Sequence, residues 1–432
     1  MGIDLGNDDH EIEWIGVSQG WGIVIGRVHK DMLRRLKGVP FVGFDVARVR
    51  GLYTSLGDGW TYLNSHQIPQ VPERVASGVA AAFRTHAQIS ADTLQPIAVD
   101  QLEAAREAVA QMAGVDPKCV VLGPTRQYLV HTLARGLGSF VRRKAGVVLS
   151  RADAEWLTGP LLGLDGDFRW AEPDLGTGLL PDWQYNELVD GSTRLVALSA
   201  AHPLLGTVAP VGKIVERVRK KSRAWVLIDA TTYATYRPLD LEQWQADIVM
   251  IDLAELGGPQ ISAMIFRDVS MFPRLDKSVQ LELPAGSMPH GLLGGVSNLM
   301  RHLGNLDEKA DSAQESMESL AAFHKGLLEH LILSLEGLQA VHIVGISGDA
   351  AGQDAADLDR VPRLTFTVAG VPAETVYRRL VDNRLVTTVS PADPLLDAMG
   401  VTEAGGSITI GLSAFSTYYE VDQLTRVLAS LA

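Results

Sequence analysis

The stretch Asp247–Arg267, DIVMIDLAELGGPQISAMIFR, decides what the rest of the chain can be. It holds two apolar runs, IVMI and ISAMIF, rich in β-branched residues and joined by a turn-prone GGP. Short apolar runs with that punctuation read as a hairpin-like pair of buried strands. Between them stands Glu255, and the whole stretch contains no lysine. A carboxylate cannot form a Schiff base with an aldehyde; only an unprotonated amine does so.

Working outward, the flanking segments alternate between strand and helix patterns. AWVLIDATTYATYRPLDL (224–241) is a strand ending at Asp229, followed by a loop. TRLVALSAAHPLLGTVAPVGKIVERVRKK (193–221) is a strand, a loop carrying His202 and a basic-ended amphipathic helix. CVVLGPTRQYLVHTLARGL (119–137) reads as a buried strand, a Gly-Pro turn and a helix. The turn leaves free backbone N–H groups at the helix start, which makes it either an anion site in which Thr125 and Arg126 can take part or an ordinary strand-to-helix turn. Further upstream, Val71, Val75, Val79 and Phe83 fall four apart and predict one face of an amphipathic helix. LEAAREAVAQM (102–112) predicts another, rich in alanine. Downstream, a long helix is expected to run to about Leu335. It leads into strands VHIVG and RLTFTVAG, a helix PAETVYRRLVDNRL, a strand SITIGLSA and a terminal helix EVDQLTRVLASLA.

In order and spacing these segments resemble the class V aminotransferases and cysteine desulfurase-like proteins. That family has the fold type I architecture and depends on pyridoxal 5′-phosphate (PLP). The resemblance runs from Phe44 to Ala432. It implies an α/β large domain over 44–290, with a mostly parallel seven-stranded sheet between helices. A linking helix and a smaller α/β C-terminal domain would follow over 291–432, and residues 1–43 would be an N-terminal extension. Within that extension WIGVSQGWGIVIGRV suits a strand or packed arm, and KDMLRRLKG a short basic helix.

The resemblance also assigns positions in the site. Laying the family's S-x-Y-K-F-F-G-P on Gly258-Pro259 puts the imine-forming lysine at Glu255. The phosphate loop G-P-N-x-T falls on Gly123, Pro124, Thr125, Arg126 and Gln127. The segment T-R-L-D-H-D-A-N-x-x-P-W, matched at Asp153 and Pro160, puts Ala154 where the ring-stacking histidine stands and Leu157 where the asparagine stands. Asp229 matches the aspartate that holds the pyridinium N–H, and Thr232 replaces a nearby histidine. Without a cofactor, Asp229 would serve to cap backbone amides at the strand end. The Ser-Asn pair of the family is His202-Pro203; a lone loop histidine of this kind is more often solvated than ligand-binding. Glu282 and the loosely matching Gly286-Ser287 correspond to a segment reaching the neighbouring subunit's phosphate site. The terminal motif keeps Thr417, Glu420, Val421 and Asp422, but the substrate-carboxylate arginine is Thr409.

Composition narrows the function classes. A formal charge of -13 and pI near 5.3 lack the basic footprint of wholesale nucleic-acid binding. The one cysteine, Cys119, cannot form an internal disulfide, falls on a predicted core strand and suits a reducing compartment. No metal site is expected. No apolar run reaches a membrane-spanning length of about 20 residues, and the acidic start is unlike a signal peptide. The expectation is a cytoplasmic homodimer, or a heterodimer with an active paralogue, that has lost Schiff-base chemistry and acts as a scaffold, ligand sensor or partner. The competing expectation is an enzyme holding PLP or pyridoxamine phosphate non-covalently on Asp229 and the 123–127 loop, with Glu255 as general acid or base. A third is a cleft that has acquired a different small molecule.

Overall fold

The structure is a computed structural model that describes residues 44–84, 101–280, 288–345 and 359–431, with the strands at 11–17, 23–29, 88–89 and 96–97. It divides at Gly43/Phe44 into two units. The first contains an antiparallel pair, β1 (Glu11–Val17) and β2 (Ile23–His29), in register Glu11↔His29. The segment WIGVSQGWGIVIGRV, read as a strand or a packed arm, contributes to both strands; KDMLRRLKG lies outside the described residues.

The second unit, Phe44–Ala432, opens with a short helix at Val46–Arg50, after which come helices α1 (Glu73–Arg84) and α2 (Gln101–Ala113). Strand β3 (Val120–Gly123) leads to α3 (Arg126–Gly136), and β4 (Ala145–Ser150) to α4 (Glu155–Leu162). Then come β5 (Gly166–Ala171), β6 (Thr193–Ser199), α5 (Val211–Lys221), β7 (Trp225–Asp229), β8 (Ile248–Asp252) and β9 (Ser262–Phe266). The seven strands form one sheet in the order β3-β9-β8-β7-β6-β4-β5. Its pairings are parallel except those of β9, which runs against both β8 and β3. The expected mostly parallel seven-stranded sheet is therefore present, including the hairpin at 247–267.

Alternation along the strands builds a core on each face of this sheet. Val226, Ile228, Val249 and Ile251 point to one side, where α5 buries Val211, Ile214, Val215 and Val218. Trp225, Leu227, Ile248 and Met250 point to the other, against α3 and α4. Each fully buried aliphatic side chain of this kind contributes about 1.5–3 kcal/mol.

Helices α6 (His290–Gly304) and α7 (Ala313–Glu336) lead to a smaller antiparallel sheet. It consists of β10 (Val341–Ile343), β11 (Arg363–Val368), β12 (Thr388–Val389) and β13 (Ile408–Gly411), in the order β10-β11-β13-β12. Helices α8 (Ala373–Asp382) and α9 (Tyr418–Ala429) pack on it with α7. The Thr417…Glu420 motif that opens α9 is a capping box. Thr417 Oγ1 accepts from the Glu420 N–H, and the Glu420 carboxylate accepts from the Thr417 N–H. Arg50 then reaches across to pair with Glu420 at 2.9 Å.

Two local expectations need correction. The helix predicted from Val71 starts at Glu73, and of its supposed apolar face Val75 is buried while Val71 and Phe83 are exposed. Packing against α6 decides this. Gly78 and Ala82 meet Gly294 so closely that a Cβ on Gly294 would lie 2.2 Å from that of Ala82. Val79 and Phe83 face the same helix, against Gly295 and Gly291, so the contact face takes in 75, 78, 79, 82 and 83, while Val71 precedes the helix. Cys119 is buried, but it ends a 3-10 turn (Pro117–Cys119) just before β3 instead of lying on the strand.

Candidate functional site

The parallel strands end in polar residues on one edge of the large sheet: Ser150 on β4, Ser199 on β6, Asp229 on β7 and Asp252 on β8. Ligands of open α/β sheets bind at this carboxyl edge. Asp252 accepts from the Ala254 N–H and so caps a 3-10 turn, Leu253–Leu256, that carries Glu255. The turn closes at Gly257 with φ +84, a left-handed conformation that glycine adopts without Cβ strain. Helix α3 begins on the same edge. Thr125 is its N-cap, accepting from the Tyr128 N–H, so Arg126 is the first helical residue.

Arg126 lies across the site. Its Nη1 donates to Asp229 Oδ2 at 3.1 Å and its Nη2 to Glu255 Oε1 at 2.8 Å; Nε stands 3.6 Å from Asp252 Oδ2. The guanidinium face rests on the indole of Trp156, 4.4 Å from the ring centroid. A planar delocalised cation thus has carboxylates around its rim and an aromatic ring on its face, the arrangement that suits arginine rather than lysine. Burial pushes the Asp229 and Asp252 carboxyls above the usual range, opposed in both cases by Arg126.

A second arginine closes the site from the small domain. Arg363, the first residue of β11, is fully buried. Its guanidinium donates to the Tyr236 hydroxyl at 3.2 Å, the Pro203 carbonyl at 3.1 Å, Thr232 Oγ1 at 3.4 Å and Glu255 Oε2 at 3.1 Å. Glu255 is therefore held by one arginine on each oxygen. That geometry is unlike the free acid or base expected under the competing reading. Two guanidinium groups face three carboxylates in a compact cluster.

The other expected site residues fall as follows. Asp229 also accepts from the Thr231 N–H and hydroxyl, the capping role foreseen for it. Gln127 is exposed, and Ala154 is an exposed N-cap of α4 with no ring to offer; Leu157 is buried in the core. Trp156, two residues past Ala154, supplies the aromatic face instead. Thr409 lies inside the small sheet, bonded to Thr365 Oγ1 at 2.9 Å and Ser390 Oγ at 2.7 Å, remote from a ligand-clamping role. Glu282, Gly286 and Ser287 lie outside the described residues.

His202 corrects the expectation of a solvated loop histidine. It is buried, and its Nδ1 accepts from the Leu204 and Leu205 N–H groups at 3.3 and 3.2 Å. The proton of the neutral ring then sits on Nε2, 3.8 Å from Asp393 Oδ2. Burial holds the imidazole below its ordinary pKa. Beside it is a cavity of about 20 Å³ lined by Ser150, Asp153, Ser199 and Thr207, room for a single water. Asp153 Oδ1 accepts from the Ser199 N–H at 3.0 Å, while its Oδ2 is enclosed without a partner. Burial pushes this carboxyl up to about 7, with the nearby Asp229 charge adding to the effect. Among the described residues no group of three or more His, Cys, Asp or Glu side chains is arranged to hold a metal. Among them, too, no helix is long and apolar enough to cross a membrane.

Against known proteins, the aminotransferase class-V family matches residues 61–273. An uncharacterized protein of Mycobacterium tuberculosis (strain CDC 1551 / Oshkosh), MT3887, is 36% identical over 410 residues, covering 90% of this chain and 100% of that protein. The apo cysteine desulfurase from Thermococcus onnurineus NA1 superposes with a TM-score of 0.75 at 16% identity, over 89% of this chain and 97% of that one. A C-DES mutant with glycine covalently linked to its PLP cofactor superposes with a TM-score of 0.67 at 15% identity, over 88% and 98% of the two chains.

Proposed function

Because the chain belongs to the class V aminotransferase and cysteine desulfurase-like family, we propose that it is a non-catalytic member that keeps the scaffold and has given up Schiff-base chemistry. It acts as a cytoplasmic homodimer, or beside an active paralogue, in ligand sensing or partner binding. The observation that carries this reading is Glu255. The resemblance lays it on the family's lysine position, and each of its carboxylate oxygens is tied to an arginine, Arg126 at 2.8 Å and Arg363 at 3.1 Å.

The residues present do not fit PLP. No amine is offered at position 255, and Asp229 is already paired with the Arg126 guanidinium. The aromatic face of Trp156 is covered by the same group. The substrate-clamping arginine of the family has a counterpart only in Thr409, which is spent on neighbours within its own sheet. Losing any one of these leaves an unusual enzyme; losing all of them leaves little to hold either cofactor or amino acid.

The test is a titration of the purified protein with PLP and with pyridoxamine phosphate, followed by visible absorbance and tryptophan fluorescence. No saturable change is expected. Micromolar binding of either compound by the wild-type protein would overturn the reading and make amino-acid substrates worth screening.

A further inference from the structure

Asp229, Asp252 and Glu255 descend from two adjacent strand ends and the turn after them, while Trp156 comes from α4. Together they make a receptacle with a negative rim and one aromatic wall. Such a receptacle recognises a particular chemistry: a flat cation whose N–H groups point outward in its plane and whose face is free to stack. An ammonium ion is drawn to rim and wall alike but has no plane to lay on the ring while its N–H groups reach the carboxylates, and a neutral ring matches the wall but leaves Asp229 and Asp252 without a charge partner. The chain supplies the matching group itself. The Arg126 guanidinium meets Asp229 at 3.1 Å, Glu255 at 2.8 Å and Asp252 at 3.6 Å, with Trp156 at 4.4 Å.

We propose that this receptacle is a binding site for a planar delocalised cation, that Arg126 is its tethered occupant, and that Arg126 is thereby the residue deciding what the cleft excludes. The proposal rests on the non-catalytic reading above and adds its cause. Asp229 and Trp156 are intact and still form a place for a ring carrying a protonated nitrogen. What bars such a ring is the guanidinium lying in it. Being attached to the first residue of α3, the occupant is present at a high effective concentration and gives way to no free ligand of ordinary affinity.

The experiment uses the full chain with Arg126→Ala and wild type in parallel. Probes are N-ethylguanidinium, ethylammonium and PLP; readouts are thermal unfolding and tryptophan fluorescence, with the Trp156→Leu variant isolating the contribution of Trp156 among the eight tryptophans. N-ethylguanidinium is expected to raise the melting temperature of Arg126→Ala and leave wild type unmoved, while ethylammonium at equal concentration does neither. PLP is expected to give a saturable change with Arg126→Ala where wild type gives none. Adding Trp156→Leu should remove both gains. Should Arg126→Ala fail to fold because three carboxylates are left facing Arg363 alone, Arg126→Ala/Glu255→Gln relieves that repulsion and carries the same measurements. A folded variant that responds to none of the probes, or to ethylammonium as strongly as to N-ethylguanidinium, overturns the proposal while leaving the non-catalytic reading in place. Tight PLP binding by wild type with Arg126 intact would overturn both.

Discussion

Asp153→Asn should change the pH dependence of stability in a direction the structure dictates. The ordinary aspartate carboxyl titrates near 3.8, and in the folded protein Asp153 is pushed up to about 7, first by burial and then by the Asp229 charge. Between those values the unfolded chain has released this proton and the folded chain retains it. Stability from this group therefore falls as pH rises from about 4 to about 7, and the accumulated loss above pH 7 is about 4 kcal/mol. Asparagine keeps a carbonyl oxygen to accept the Ser199 N–H and carries no charge at any pH. Its amide N–H₂ must face the enclosed position of Oδ2, a pH-independent cost of about 1–3 kcal/mol. Urea unfolding of wild type and variant at a series of pH values separates the two effects, because the offset is constant and the titration is not. The variant is expected to gain on wild type by about 4 kcal/mol between pH 4 and pH 8. A difference that stays flat over that range would refute the reasoning.

Three further outcomes follow from the site and its supports. Glu255→Lys replaces the carboxylate shared by Arg126 and Arg363 with a third cation. It is expected to cost about 3–5 kcal/mol in chemical unfolding, and no imine absorbance should appear with PLP while Arg126 is in place. His66, His302 and His324 are held neutral, burial lowering them to about 3, 4 and 4. The unfolded chain protonates such rings near 6.5, so their contribution is lost as pH falls from there to about 4. His324→Phe, which preserves a ring against Tyr236, should reduce that acid loss by about 3 kcal/mol in the same urea series. Gly294→Ala would normally gain about 0.5–1 kcal/mol in a helix. Here the new methyl lies 2.2 Å from Ala82 Cβ, so a net loss of about 1–3 kcal/mol is expected in thermal unfolding, and a stabilised variant would contradict the close crossing of α1 and α6.

How much of this was legible beforehand depends on the range of the interaction. The strands and helices follow from local period and turn residues, and the absence of lysine from 247–267 needs no structure. The capping box at Thr417 and Glu420 is likewise a three-residue pattern. Arg126 is different. Its position at the start of a helix was readable, but its direction is set by carboxylates 103 and 129 residues away, which no local pattern encodes. The sequence leaves open an external anion or an ordinary turn, and in the structure Arg126 meets the protein's own carboxylates. Arg363 escaped notice because a charged residue opening an apolar strand, RLTFTV, ordinarily reaches solvent; here it is among the largest fully buried side chains. Trp156 was hidden by matching the stacking position to Ala154, though an aromatic residue two places on was the available signal. His202 was misjudged because loop membership says nothing about the Leu204 and Leu205 amides folding back on its ring.

The bonds of Arg363 also bear on how the protein comes apart. Its backbone lies in the four-stranded sheet, while its guanidinium donates to Pro203, Thr232, Tyr236 and Glu255, all belonging to the seven-stranded part. Next to it the chains approach closely: the Val361 N–H donates to the Gly206 carbonyl, and a Cβ on Gly206 would lie 2.4 Å from the Arg363 carbonyl oxygen. If the small sheet detached while the large one stayed folded, a buried cation would be drawn from four acceptors at once and Glu255 would lose half its compensation. Partial opening along that seam is therefore penalised relative to complete unfolding. The two sheets are therefore expected to open as one cooperative foldon, the slowest-exchanging amides of both sharing a single opening free energy in hydrogen exchange.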